Sequence, residues 1–158
     1  MVFLHGLLGS SNNFRYISNS DTIKDRRNSL LIDLRNHGDS DHHDSMTYEE
    51  MANDVIKHLD NLKITKFTLL GHSMGAKTSM HIATKIKDRL DGLIILDAAP
   101  KSHRNNLNIY GNTKGLIDKL SEYDIKNKKR KECVDNFKRL FVKISYLLFL
   151  RDLLWLIY

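Results

Sequence analysis

Cysteine and proline are almost missing from this chain, with one of each in 158 residues. The lone Cys133 excludes an internal disulfide and a cysteine-based metal site, and it suits a reducing compartment. There is no Cys/His finger and no basic stretch interleaved with aromatics, so nucleic acid is not an expected partner. No internal repeat is visible. No secretory signal is expected, because Met1-Val2-Phe3-Leu4 runs straight into His5-Gly6. What is present describes a globular chain, with 41% hydrophobic and 28% charged residues and length enough for one core.

Charge is unevenly placed. Residues 101–158 hold 13 of the 25 basic and 6 of the 19 acidic residues, while residues 1–100 hold 12 and 13. The net charge of +6 therefore belongs to the second part, where a solvated lysine-rich surface is the plain reading.

Four short apolar runs punctuate the first hundred residues: Val2-Phe3-Leu4, Leu30-Leu31-Ile32, Phe67-Thr68-Leu69-Leu70 and Leu93-Ile94-Ile95-Leu96. None alternates strictly with polar residues. Such runs predict parallel strands buried on both faces. Helical spacing lies between them. Tyr48, Met51, Val55, Leu59 and Leu62 predict a helix over 47–62, opened by a Thr47–Glu50 capping box. Residues 74–87 predict another, with Ala76, Met80, Ala83 and Ile86 on one face. A weaker helical start lies between Ser10 and about Ser20. Strand and helix in alternation predict an α/β fold, a parallel sheet with flanking helices.

After Pro100 the character changes. Residues 101–115 are polar and loop-like, and helical spacing returns at Leu116, Ile117 and Leu120, and from Cys133 to Ile144. The expected organisation is a partial α/β core over 1–100 and a helical, basic, lid-like region over 101–158. The apolar end, Leu147 to Tyr158, is interrupted by Arg151-Asp152 and falls short of the ~20 residues that span a bilayer. It reads as a core or lid helix, as an interfacial membrane helix, or as non-native sequence closing a truncated frame. The membrane reading is the least favoured.

The chemistry centres on Gly71-His72-Ser73-Met74-Gly75. An apolar strand, a G-x-S-x-G turn and a helix give the context of a nucleophile elbow, with Ser73 as nucleophile. Small residues on either side let neighbouring backbone approach. The competing reading is a glycine-rich turn with Ser73 as a helix cap. His5-Gly6-Leu7-Leu8-Gly9 follows the first run and can turn a backbone N–H to the same place. The N–H groups of Leu7 and Met74 would form an oxyanion hole, each donor worth ~3 kcal/mol on a developing oxyanion. Asp97, after the fourth run, could orient a histidine, or could simply cap a loop.

The base is harder to find. His72 lies within the elbow with its side chain expected to point away from the hydroxyl. His81 lies on the helix behind, and His58 on a surface helix. His5 is expected to hold its own loop by hydrogen bonds. His37, His42 and His43 share a polar loop, and His103 follows Pro100. None follows a late strand. The loop Arg35 to Asp44 is dense in His and Asp but lacks a metal-ligand spacing, so a solvated loop is expected. No metal or other cofactor is implied.

Four stretches resemble the α/β-hydrolase fold, and more narrowly the YbfF-type esterases and the abhydrolase-domain-11 proteins. They are Leu4-His5-Gly6-Leu7-Leu8-Gly9-Ser10, Asp33-Leu34-Arg35-Asn36-His37-Gly38-Asp39-Ser40, Gly71-His72-Ser73-Met74-Gly75 and Leu96-Asp97-Ala98-Ala99-Pro100. The resemblance implies a serine hydrolase acting on small-molecule carboxylic esters or thioesters, with Ser73 as nucleophile and Asp97 as triad acid. Lipase, thioesterase and acyltransferase chemistry share the same front half. Relatives include cytosolic and mitochondrial proteins. The family has further strands at both ends, so the resemblance also implies a piece lacking the catalytic histidine. Loss of that histidine costs on the order of 10⁶ in turnover. A non-catalytic protein that binds a partner or a small apolar ligand is the alternative.

Overall fold

Val2, Phe3 and Leu4 form the strand around which the sheet is laid. A computed structural model describes residues 1–101, 117–118, 128–129 and 131–133. The chain divides into two units, Met1–Pro100 and Lys101–Tyr158, and every element below lies in the first. Of the second, Ile117, Asp118 and Lys131 to Cys133 are helical. His103, the rest of the expected helical spacing and the apolar end from Leu147 to Tyr158 lie outside the described residues.

The strands are β1 (Val2–Leu4), β2 (Leu30–Ile32), β3 (Phe67–His72) and β4 (Leu90–Leu96). All pairings are parallel, in the order β2-β1-β3-β4. Leu4 lies level with both Ile32 and Gly71, and Gly71 with Ile95. The carboxyl ends therefore come out along one edge, carrying His5, Asp33, Ser73 and Asp97 with them.

Burial follows the strand order. On β1, Val2 and Leu4 enter one core cluster and Phe3 the other. On β3, Leu69 and Leu70 divide the same way. Burying a side chain of this kind contributes roughly 2 kcal/mol. The expectation of burial on both faces thus holds for β1 and fails at the sheet margins. β2 is only half-buried, and Leu93, Ile94 and Leu96 of β4 are 40%, 38% and 39% exposed. The letters are as apolar as those of β1, but β2 and β4 are the outer strands, with a neighbour on one side only among the described residues.

Two helices cover the face of Val2, Leu4 and Leu69. The first, over Tyr48–Asn61, opens on Thr47. Its hydroxyl accepts the Glu50 N–H at 3.2 Å, and the Glu50 carboxylate accepts the Thr47 N–H at 2.8 Å. The Ser45 hydroxyl, with the N–H and hydroxyl of Thr47, holds the Glu50 carboxyl down at about 2. Met51, Ala52, Val55 and Leu59 are buried, whereas Tyr48 and Leu62 sit exposed at the two ends.

The second helix, Met74–Ile86, buries a different stripe from the one its apolar letters predict. Met74, Gly75, Ala76, Thr78, Ser79 and Ile82 face inward, and Met80 and Ala83 are only half-buried. Thr78 and Ser79 tolerate this because their hydroxyls donate to the carbonyls of Met74 and Gly75, four residues back, at 3.0 and 2.8 Å. The opposite face of the sheet is covered by short pieces: a 3-10 turn at Ser11–Phe14 and single helical turns at Arg15–Ser18 and Asp21–Lys24. The start expected at Ser10 is thus broken into three. Among the described residues, no helix is long and apolar enough to cross a membrane.

Candidate active site

Ser73 stands between β3 and the helix that begins at Met74, with φ 51° and ψ −111°. A non-glycine residue avoids this region unless its surroundings impose it, at a cost of about 1–3 kcal/mol. Its N–H donates to Leu96 O on β4 at 2.9 Å, and its own carbonyl accepts the Lys77 N–H at 3.1 Å. Two glycines let other backbone close in on the turn. A Cβ on Gly75 would lie 2.5 Å from His5 O and closer still to Leu4 O. A Cβ on Gly6 would lie 2.9 Å from His72 Nδ1 and 3.4 Å from Ser73 Cβ. The loop after β1 is therefore packed directly on the serine turn.

That loop is a tight turn. The Gly9 N–H donates to Gly6 O at 3.0 Å, and Leu8 takes a left-handed φ of 60°. His5, fully buried, contacts Gly6 O through Nδ1 at 2.8 Å, and its Nε2 accepts the Leu34 N–H at 3.1 Å. His37 mirrors it from the other loop. Its Nδ1 contacts Arg35 O at 2.9 Å, and its Nε2 accepts the Leu8 N–H at 3.1 Å. A carbonyl only accepts, so both rings carry their proton on Nδ1. Their centroids are 5.0 Å apart.

His37 departs from the expected solvated loop. It is 8% exposed and braces the loop after β1, while His42 and His43 stay exposed. Asp33 is a second brace. It accepts the Ser11 N–H at 2.5 Å and the Asp39 N–H at 3.1 Å. Burial acts to raise its carboxyl, but these N–H groups and the Ser11 hydroxyl outweigh burial and hold it below the ordinary carboxylate range. Both residues lie in the Asp33 to Ser40 stretch that resembles the α/β-hydrolases, but nothing in its letters assigns either one a bracing role. The available clue was an Asp directly after a strand with Gly38, at φ 55°, folded over it. Among the described residues no three His, Cys, Asp or Glu side chains group as a metal site.

Burial pushes the His5 imidazole below the usual histidine value. The unfolded chain, near 6.5, then binds the proton more readily than the folded one. The contribution of His5 to stability is complete above that value and is lost as pH falls from it toward the folded value. Urea midpoints are expected to drop between pH 7 and 5, and less steeply in His5→Asn. Equal slopes in the two proteins would exclude His5 as the source.

Asp97 follows β4 with φ 52°. Its side chain is 81% exposed, and its Oδ2 is 3.9 Å from His72 Nε2. So the structure brings Leu7, Ser73, Met74 and Asp97 to one edge of the sheet. Among the described residues, no side chain hydrogen-bonds the Ser73 hydroxyl, and no acceptor takes the N–H of Leu7 or of Met74. The positive end of the following helix adds to the pull of those N–H groups on negative charge.

A three-layer arrangement with a strained serine at a strand-to-helix turn is a hydrolase architecture. The chain belongs to the α/β-hydrolase fold family, whose description "alpha/beta hydrolase fold" matches residues 1–133. It is 44% identical to the sn-1-specific diacylglycerol lipase ABHD11 of Xenopus laevis over 100 residues, which are 63% of this chain and 32% of that protein. It is 40% identical to Esterase YbfF of Escherichia coli over 100 residues, 63% of this chain and 39% of that one. Among solved structures, a marine microorganism esterase superposes with a TM-score of 0.78 at 32% identity, covering 94% of this chain and 55% of the other. The chain spans well under half the length of these two curated relatives.

Proposed function

We propose that this chain forms the nucleophile-bearing part of a serine hydrolase for small-molecule carboxylic esters or thioesters. The observation that carries the reading is the left-handed Ser73, set beside two backbone N–H groups, of Leu7 and Met74, that meet no acceptor among the described residues. Ser73 Oγ attacks the carbonyl carbon, and a histidine outside the described residues takes its proton. The carbonyl oxygen, now negative, is held by the Leu7 and Met74 N–H groups. Collapse expels the alcohol or thiol, which receives the proton from the histidine. Water then releases the acid by the same route. Asp97 is assigned the role of orienting that histidine. Its place directly after β4, level with the serine turn, supports this.

A fluorophosphonate probe and a chromogenic ester test the reading on the full-length protein and its Ser73→Ala variant. Labelling and hydrolysis are expected in the first and absent in the second. Equal hydrolysis by both overturns the proposal. Absence of both labelling and hydrolysis in the parent favours a binding protein without catalysis.

A further inference from the structure

The loop after β1 is held by two histidines acting in opposite directions. His5 reaches out of that loop to the Leu34 N–H, and His37 reaches back from the loop after β2 to the Leu8 N–H. Each ring is itself fixed by a carbonyl, Gly6 O for His5 and Arg35 O for His37. These bonds grip the two peptide groups that flank Leu7. A peptide is planar and trans, so its C=O and N–H point opposite ways. Gly6 O, pinned by His5 Nδ1 and by the Gly9 N–H, therefore dictates where the Leu7 N–H points. The Leu8 N–H, pinned by His37, dictates the next peptide plane. A flip of either peptide would remove the free Leu7 donor from the site or turn a carbonyl toward it.

We propose that His5 and His37 are paired positioning residues that lock the Leu7 peptide in its donor orientation, each acting as a neutral ring protonated on Nδ1. The inference rests on the hydrolase reading of Ser73 and Leu7. It assigns to His37, from a different loop, a part in holding the oxyanion donor. A protonated Nε2 would face an N–H, lose that bond, and set two cations about one ring apart. Among the described residues, Asp33 Oδ1 lies 4.0 Å from His5 Nε2 and is engaged by the Ser11 N–H.

The test separates geometry from turnover. In the full-length protein, nitrogen-15 NMR at pH 7.5 is expected to find both imidazoles as the Nδ1–H tautomer, with the Leu8 amide protected from exchange. His37→Ala is expected to lose that protection. Its kcat is expected to fall about 10- to 100-fold with KM nearly unchanged, the scale of a displaced oxyanion donor. His37→Gln, whose side-chain oxygen can accept the Leu8 N–H, is expected to recover both properties. An Nε2–H tautomer at either ring overturns the proposal without reference to activity. So does an unchanged kcat in His37→Ala when Ser73→Ala is inactive. Hydrolysis that survives in Ser73→Ala instead removes the hydrolase reading, and with it the catalytic purpose assigned to the two rings.

Discussion

Replacing Ser73, the proposed nucleophile, with glycine is expected to stabilise the protein by about 1 kcal/mol while ending the proposed ester hydrolysis. The backbone at this position, φ 51° and ψ −111°, costs a serine about 1–3 kcal/mol and costs glycine little. Glycine loses more freedom on folding, which offsets roughly 0.5–1 kcal/mol of that gain. No hydrogen bond of the hydroxyl is lost among the described residues, so the strain term wins. For a chain of this size the melting temperature is expected to rise by about 2–4 °C. Turnover is expected to fall on the order of 10⁶, as for removal of a serine nucleophile. Ser73→Ala is the control, since it removes the hydroxyl and keeps a Cβ in the strained turn. A glycine variant no more stable than the alanine variant would mean that the strain in the turn does not exceed the roughly 0.5–1 kcal/mol that glycine loses in freedom.

Gly75→Ala is expected to do the opposite and destabilise by about 3 kcal/mol. Helix propensity alone argues the other way, because alanine inside a helix is favoured over glycine by about 1 kcal/mol. The added methyl meets main-chain carbonyls, however, 2.5 Å from His5 O and nearer to Leu4 O. A carbonyl in a strand cannot rotate aside as a side chain does. Either the helix moves off β1 or the strand bends, and both disturb the loop that begins at His5. Gly92→Ala on β4 supplies the comparison, because among the described residues its Cβ would meet only the Thr68 side chain, at 3.5 Å and beyond. That variant is expected to stay within about 0.5 kcal/mol of the parent. Urea unfolding of the two proteins decides it, and equal midpoints would show that the helix has room to shift.

Local patterns carried most of the fold into the sequence. The four apolar runs are the four strands, and Thr47 with Glu50 marks the start of its helix to the residue. The serine turn was legible because a strand, two glycines and a helix each leave their own signature. What stayed hidden depends on residues distant in the chain. Leu93 and Ile94 read as core and are exposed, because among the described residues strand order and not composition makes β4 an outer strand. Thr78 and Ser79 are not among the apolar letters that marked the face of their helix and are buried, because each hydroxyl finds a carbonyl one turn back. His37 stood out only as part of a family-like stretch and as one histidine of a polar loop. Its partner is the backbone of Leu8, 29 residues away, and a backbone N–H leaves no trace in a sequence.

The strand order also sets a timetable. Val2 pairs with Leu30 on one side and with Leu69 on the other. At ribosomal rates of about 5–20 residues per second, roughly 3–13 seconds separate synthesis of Val2 from that of its second neighbour. Through that interval the strand that ends fully buried is covered on one edge at most, and Phe3 and Leu4 lack much of the surface they will pack against. The serine turn does not yet exist, because β3 delivers it. The serine turn is thus assembled late, after β1 and β2 have both been made.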